Sequence, residues 1–354
     1  MVYGHPALIA AIGLLLTTRV RLAPAGTAGV EIRVPGLGWE VLRTGWPEIL
    51  SYTERVRERW RQYAHSPRAG AFDEVRGTDP AHLLKVALGE AALYARQQGA
   101  GEPPPLVVEV SSQIPAGSGF GSSAALAATV IAGSLAVRGI ELPTPKLERL
   151  TLEAERRQHG MPSGVDGATV IHGGLVWARR PSEGAPLAIT PLDLASPHLS
   201  RFRVFDTGTP AESTGAVVAA VRERIDAEPE RLCPVLARMG ETARELRAEI
   251  AGGEDRPQVV IGLIRRFQRD LETLGVIPAA ARELVRQVEA RGGAAKISGA
   301  GALSPAGAER PGAGSLLVYH PEPEQIGRMR FLDPFPCHAV PLGVPGFRIE
   351  SDEP

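Results

Sequence analysis

The sequence predicts an α+β protein with two domains. Its 354 residues exceed the usual length of a single domain, and a content of 44% hydrophobic and 22% charged residues is typical of a soluble globular protein. Strand-like and helix-like segments are mixed in the N-terminal part, whereas long amphipathic helices dominate the C-terminal part. We therefore predict one domain over residues 1–198 and a second over residues 199–354.

Charge and cysteine content exclude several classes of protein. The net charge of −1 provides no electrostatic attraction for nucleic acid or for an anionic membrane. Cys233 and Cys337 lie far apart and have no histidine at metal-binding spacing, so neither a disulfide framework nor a zinc site is expected. The apolar run from Ala7 to Leu16 lacks a basic leader and is too short to span a bilayer, so we interpret it as buried sheet. A cytoplasmic protein without a membrane partner is the prediction.

Periodicity and breakers predict the elements in order. We expect strands over residues 20–22 and 30–34 joined by a hairpin-like turn, followed by an amphipathic helix over 80–98 and a strand over 106–112. The remaining predicted helices cover residues 48–65, 124–137, 146–158, 215–226, 230–250, 257–274 and 279–291. The remaining strands cover 169–177, 187–191, 202–206 and 315–319, and residues 294–301 form a strand that leads into a second glycine turn.

A glycine-rich segment connects the strand at 106–112 with the helix that follows. Glycines at 117, 119 and 121 permit close backbone approach, and Ser122 and Ser123 stand where the helix begins. Backbone N–H groups at a helix N-terminus, aided by the helix dipole, bind phosphate. The dinucleotide and Walker fingerprints both fail here, and an ordinary strand-to-helix connection is the alternative.

The run Pro-Ala-Gly-Ser-Gly-Phe-Gly-Ser-Ser-Ala-Ala at residues 115–125 resembles the phosphate-binding motif of the GHMP kinases, which include galactokinase, homoserine kinase, mevalonate kinase and phosphomevalonate kinase. The resemblance implies ATP as co-substrate and Mg²⁺ as cofactor. The nucleotide-binding residues that it implies in this loop are Pro115, Gly117, Ser118, Gly119, Gly121, Ser122 and Ser123.

A second dense segment, His-Gly-Met-Pro-Ser-Gly-Val-Asp, begins at His159 and is followed by Gly173-Gly174. Turn-forming and polar residues of this kind can form a mere connection, but ordering such a loop is costly. The segment is similar to the corresponding one in mevalonate kinases. The similarity implies that Asp166 is the catalytic base, that Ser163 and Gly164 contact substrate, and that Glu155 and Ser123 bind Mg²⁺. Glu153 is the alternative metal ligand if the helix register differs.

Two later segments extend the resemblance. Asp206-Thr-Gly-Thr-Pro resembles a mevalonate kinase stretch and implies that Thr209 contacts substrate, although Ala211 stands where a basic residue is often found. Lys296-Ile-Ser-Gly-Ala-Gly301 resembles the third GHMP motif and implies nucleotide contacts by Ser298, Gly299 and Gly301. The residues at 302–312 depart from the glycine run of that motif. By itself, a glycine turn after a strand is weak evidence.

The resemblance also implies a fold and a reaction. The fold is the two-domain GHMP kinase fold, with a ribosomal-protein-S5-like N-terminal domain and a ferredoxin-like α/β sandwich as C-terminal domain. The reaction is ATP-dependent phosphorylation of the 5-hydroxyl of mevalonate in isoprenoid biosynthesis, in a possible homodimer. The alternatives are a mevalonate 3-kinase, a phosphomevalonate decarboxylase, a sugar kinase or a non-catalytic nucleotide-binding relative. A nicotinamide oxidoreductase is a more distant alternative.

The first motif of the mevalonate kinases has no counterpart in the sequence. In that family a strand carrying a lysine, then Gly-Glu-His, precede a segment that resembles Val2–Leu8. The lysine lowers the pKa of the nucleophile beside the catalytic aspartate, here Asp166. Loss of a first strand would leave unpaired backbone groups, so we expect the natural protein to begin further upstream. The alternative is that this branch of the family works without that lysine.

Overall fold

The computed structural model describes residues 4–35, 39–66, 71–115, 119–160, 162–181, 185, 187–212, 214–303 and 312–351. These residues pack as two compact units. The first unit holds the described residues of Leu14–Pro115, Phe120–His172 and Gly346–Pro354. The second unit holds those of Met1–Gly13, Ala116–Gly119 and Gly173–Pro345. The domain boundary after residue 198 stays a prediction.

The described strands of the first unit form a sheet in the order β2-β5-β3-β4. They are β2 (Leu16–Leu22), β3 (Val30–Val34), β4 (Trp39–Thr44) and β5 (Leu106–Ser112). The hairpin predicted between β2 and β3 is wrong, because β5 lies between these strands, antiparallel to β2 and parallel to β3. The physical reason is burial: β5 opens with three buried apolar residues, whereas β2 alternates half-buried and exposed residues, as an edge strand does.

Helices pack on this sheet and enclose the core of the first unit. They are α1 (Trp46–His65), α2 (Ala71–Arg76), α3 (His82–Gln97), α4 (Ser122–Ala136), α5 (Thr144–His159) and α6 (Val165–His172). Leu88, Val108 and Ile131 are among the fully buried core residues. Helix α4 lies so close to β2 that a Cβ at Gly133 would be 2.8 Å from Val20. This contact and the core fix the direction of α4, which begins directly after the glycine-rich turn.

A buried ionic cluster joins helices α1, α3 and α5. The Glu90 side chain is 1% exposed, and its Oε1 accepts a hydrogen bond of 2.7 Å from Nε of Arg57. Nη1 of Arg157 lies 3.4 Å from the same oxygen and also donates a hydrogen bond to the backbone carbonyl of Glu153. Buried charges persist where they are paired, and removal of one partner is strongly destabilising. The cluster therefore anchors the C-terminal turns of α5.

His82 on α3 is buried as a neutral ring, which predicts a pH-dependent stability. Its Nε2 lies 3.1 Å from the carbonyl oxygen of Arg157 and its Nδ1 2.9 Å from the hydroxyl of Tyr52, so Nε2–H donates and Nδ1 accepts. Burial lowers the pKa of His82. Its contribution is therefore present above the unfolded pKa of about 6.5 and is lost as the pH falls through the folded value.

We expect the variant His82→Gln to lose less stability than the wild type between pH 7 and 5, because glutamine does not titrate. Urea unfolding at several pH values measures the difference. His65→Gln, which replaces an exposed histidine at the end of α1, is the matched control and should behave as the wild type. Equal pH dependence for His82→Gln and the wild type would contradict the assignment.

The second unit contains strands in two antiparallel sheets and helices α7 to α10. One sheet has the order β1-β6-β7 and the other β11-β8-β10-β9. The elements are β1 (Ala7–Ala10), β6 (Leu175–Arg179), β7 (Ala188–Leu192), β8 (Phe202–Asp206), β9 (Ala294–Ser298), β10 (Ser315–Tyr319), β11 (Cys337–His338), α7 (Thr214–Ala227), α8 (Pro229–Gly252), α9 (Pro257–Thr273) and α10 (Ala279–Glu289). The second core includes Val285, Ile297 and Leu316.

The N-terminal apolar run is only partly the buried sheet that the sequence predicts. Residues 7–10 form β1, but all four are half-buried, and the run ends at the first residue of β2 in the other unit. Gly13 interrupts it, where a Cβ would lie 3.1 Å from Pro341.

The α+β class is confirmed. None of the described helices combines the length and apolarity needed to cross a membrane.

Candidate active site

The glycine-rich turn lies between β5 and α4, as the sequence predicts. Gly119 and Gly121 have φ values of +78° and +71°, which side chains rarely adopt. Gly121 is the N-cap of α4, and no side chain of the described residues caps that helix end. The first backbone N–H groups of α4 are thus open to an anion. Ser122 is the first residue of the helix and Pro115 the last described residue before the turn; Gly117 and Ser118 lie outside the described residues.

Ser123 and Glu155 meet at this helix end. The Oγ of Ser123 donates a hydrogen bond of 3.1 Å to Oε1 of Glu155. Glu155 is only 2% exposed, and its second carboxylate oxygen, Oε2, is buried without a hydrogen-bond partner among the described atoms. A buried, unpaired carboxylate oxygen is costly unless a cation or donor binds it.

Asp166 lies in the first turn of α6. The loop predicted around Asp166 and the start of the strand predicted over 169–177 are therefore wrong. The segment 165–172 is helical, and the strand begins only at Leu175, after Gly173 and Gly174 adopt positive φ and end the helix. An ideal Cβ at Gly121 would lie 3.5 Å from the Cβ of Asp166. The fold thus places the Asp166 side chain against the glycine-rich turn.

Helix α6 also lies close to α5. A Cβ at Gly167 would lie 3.3 Å from Thr151 and 3.7 Å from Oε2 of Glu155. The glycine at position 167, directly after Asp166, therefore lets α6 approach the unpaired Oε2 of Glu155. The two carboxylates, Glu155 and Asp166, consequently interact electrostatically.

Both carboxyl groups hold their protons more tightly than usual. Burial raises the pKa of Glu155 to about 7, the negative charge of Asp166 adds to this effect, and the hydrogen bond from Ser123 opposes it. Asp166 is exposed at the start of α6, yet protein atoms around its carboxyl group desolvate it and raise its pKa. A carboxylate with a raised pKa is the stronger base.

The other predicted site residues of the first unit make local structural contacts near Glu155 and Asp166. The Oγ of Ser163 accepts a hydrogen bond of 3.3 Å from the backbone N–H of Val165, and Gly164 has a φ of +82° before the helix. Glu153, the alternative metal ligand, instead forms ion pairs with Arg156 and Arg157.

The predicted site residues of the second unit lie at or just beyond one end of neighbouring strands in its four-stranded sheet. Ser315 at the start of β10 pairs with both Asp206 and Ser298. The loop after Asp206, with the exposed Thr209, therefore lies near the glycine turn after Ser298.

Two close contacts stabilise the loops at that end of the sheet. The Oγ1 of Thr207, which is fully buried, donates to the carbonyl oxygen of Gly314 at 2.7 Å. At Gly301 a Cβ would lie 2.2 Å from the carbonyl oxygen of Val276, so only glycine fits. Gly299 has open space around it and a φ of +103°. Residues 304–311, in which the sequence departs from the third motif, lie outside the described residues.

The oxygen ligands around Ser123 fit Mg²⁺ better than a transition metal. The described residues contain no group of three His, Cys, Asp or Glu side chains able to hold a metal by themselves. One hydroxyl and one carboxylate with an unpaired buried oxygen suit a hard cation that also keeps waters and substrate phosphates as ligands. The residues present thus fit Mg²⁺.

His159 is a neighbour of the site that the sequence analysis left without a role. Its Nε2 lies 3.0 Å from the Oγ of Ser123, and burial lowers the pKa of its ring. Its position at the start of the His-Gly-Met-Pro-Ser-Gly-Val-Asp run was the available signal. A neutral His159 can orient the Ser123 hydroxyl.

Gly121→Val tests the packing of Asp166 against the turn. We expect the free energy of unfolding to fall by about 1–2 kcal/mol from the left-handed backbone, and kcat to fall about 10²-fold because the added methyl groups displace Asp166. The matched control is Gly139→Val at the other end of α4, with a φ of +65° and no atoms within 4 Å. It should lose similar stability but keep kcat; an equal loss of kcat in both variants would contradict the argument.

Comparison with known proteins finds relatives over most of the chain. Residues 83–174 match the GHMP kinases N terminal domain family. The mevalonate kinase of Homo sapiens is 28% identical over 385 residues, covering 99% of this chain and 91% of the human protein. The Methanococcus jannaschii mevalonate kinase structure covers 95% of this chain and 91% of its own, with a TM-score of 0.70 and 16% identity. The structure of L. major mevalonate kinase in complex with R-mevalonate covers 93% and 85%, with a TM-score of 0.64 and 17% identity.

The fold and the sequence matches define the class of protein. Residues 83–174 carry the GHMP kinase N-terminal domain, the solved structures share the fold of the whole chain, and the homologues indicate an ATP-dependent kinase. The relatives named in these matches are mevalonate kinases, and this chain is similar to them in sequence and in fold.

Proposed function

We propose that the protein transfers the γ-phosphate of ATP to the 5-hydroxyl of mevalonate, giving 5-phosphomevalonate and ADP. The observation that carries the proposal is the position of Asp166 against Gly121 of the phosphate-binding turn, next to the Ser123–Glu155 pair. The names of the relatives support mevalonate as the acceptor, and the mevalonate bound to the L. major protein adds to that support.

Each group has one task in this proposal. Asp166 accepts the proton of the attacking hydroxyl, and its raised pKa suits this role. The N–H groups at the start of α4 bind phosphate oxygens. Ser163, Gly164 and Thr209 contact the acceptor, whereas Ser298, Gly299 and Gly301 contact the nucleotide.

Ser123 and Glu155 are the proposed protein ligands of Mg²⁺. When bound, the ion neutralises charge on the β- and γ-phosphates of ATP. The buried Oε2 of Glu155 would then gain the partner that it lacks among the described atoms.

Incubation with Mg-ATP and mevalonate, followed by ³¹P and ¹³C NMR, tests the proposal. The expected product carries phosphate on the 5-oxygen. A 3-phosphate, phosphorylation of a sugar only, or nucleotide binding without turnover would each overturn it in favour of a named alternative. The dimer and the cytoplasmic location remain predictions.

A further inference from the structure

An open pocket in the second unit is lined by four arginines. It has a volume of about 780 Å³ and lies where the ends of β1, β6 and α8 come together. Arg179 is the last residue of β6 and Arg180 follows it. Arg244 and Arg247 are three residues apart on α8, so they share a helix face. No acidic residue belongs to the described lining.

These four arginines have no ion pair with any described carboxylate, whereas Arg256 and Arg266 of the same unit each have at least one. Two acidic residues of α8 near them pair with other arginines, Glu245 with Arg266 and Glu249 with Arg256, and Glu241 acts electrostatically on Arg238. The positive charge in the pocket is thus not neutralised by the described protein.

Two of the guanidinium groups are held in place by other contacts. Arg247 lies 4.9 Å from the ring centroid of Trp177, a residue only 6% exposed on β6. Arg180 donates a hydrogen bond to the carbonyl of Ala185. A cation fixed over an aromatic face is partly preorganised, so less side-chain entropy is lost when an anion binds.

The local field is also visible on a neighbouring histidine. His5 packs on α8, where a Cβ at Gly240 would lie 3.0 Å from its Nδ1. Burial lowers the pKa of His5, and the charge of Arg244 is among the further causes. The ring is therefore neutral at pH 7 and does not add to the charge of the cluster.

We propose that this pocket binds the diphosphate group of a small molecule. Arginine presents a planar fork that matches phosphate oxygens bidentately. Four such forks from two elements exceed what a single phosphate or carboxylate can use. The volume lies in the range of small-molecule sites and is larger than inorganic diphosphate. Pro6, Ala248 and Ala251 line the remaining space with apolar atoms.

Isothermal titration of inorganic diphosphate into the full chain tests the proposal. The protein is first saturated with a non-hydrolysable ATP analogue and excess Mg²⁺, so that the nucleotide site is filled. We expect one site per chain, with affinity that falls as salt rises. Arg244→Gln and Arg247→Gln should each weaken binding about tenfold, and the double variant more, because each removes a charge-assisted contact.

The control is Arg282→Gln, which replaces an exposed arginine of α10 outside the pocket and should bind as the wild type. Arg179→Gln tests the other wall of the pocket if the α8 variants fold poorly by circular dichroism. Unchanged affinity in folded α8 or Arg179 variants, or loss of all binding once the nucleotide site is filled, would overturn the proposal.

A second titration distinguishes the source of the diphosphate. Butyl diphosphate binding more tightly than inorganic diphosphate supports an organic ligand whose carbon chain lies against Pro6 and Ala251. Equal affinities support the inorganic ion. Inorganic phosphate binding as tightly as diphosphate would contradict a site built for two phosphates.

Discussion

Asp166→Asn is expected to lower kcat by about 10²–10⁴-fold, the usual contribution of a positioned general base. Asparagine keeps the shape of the side chain against Gly121 but cannot accept the hydroxyl proton. The affinity for ATP should be largely unchanged, since the phosphate-binding turn keeps its backbone N–H groups. Steady-state kinetics with mevalonate and titration of the nucleotide measure the two quantities.

Glu148→Gln is the matched control for this substitution. Glu148 is on α5, two helical turns before Glu155, and its Oε1 is hydrogen-bonded to Nε2 of His172 at the end of α6. Its loss removes an acidic side chain near the same helices without touching the phosphate-binding turn, so kcat should stay close to that of the wild type. Unchanged kcat in Asp166→Asn would remove Asp166 from the role of base.

Glu155→Gln is expected to lower kcat/KM by about 10²-fold or more and to raise the Mg²⁺ concentration needed for half-maximal rate. Electrostatic stabilisation by a bound divalent cation contributes several kcal/mol, and a neutral amide holds the cation less tightly than a carboxylate. Without Mg²⁺ the same variant should unfold at a higher temperature than the wild type. The reason is that a neutral group replaces a buried charge whose Oε2 lacks a hydrogen bond.

Glu153→Gln separates these effects from the general loss of a carboxylate on α5. Glu153 pairs with Arg156 and Arg157, so its substitution should leave the Mg²⁺ dependence unchanged. Kinetics over a range of Mg²⁺ concentrations and thermal unfolding in EDTA provide the readouts. A shift in Mg²⁺ dependence for Glu153→Gln, with none for Glu155→Gln, would exchange the two roles.

Much of the fold and part of the site could be predicted from local sequence. The long helices of the second unit and the strands β8 and β10 have clear periodicity, and the turn at Gly119 and Gly121 is predicted because glycine alone adopts such backbone angles freely. The hairpin between β2 and β3 was wrong because strand order depends on which strand is buried most, and β5 is distant in sequence. Helix α6 was missed because its glycine, Gly167, and its β-branched residues are unfavourable for helices, and packing on α4 and α5 offsets this.

Local sequence suffices to predict the α+β class, the glycine-rich turn at the start of α4 and the presence of Asp166 and Glu155 in chemistry-bearing segments. Tertiary packing was needed to see that Asp166 lies against Gly121, that Glu155 rather than Glu153 meets Ser123, and that Arg179 and Arg247 line one pocket. The difference lies in the range of the interactions. Turn geometry and helix starts depend on neighbouring residues, whereas these contacts arise when buried faces of distant segments pack together.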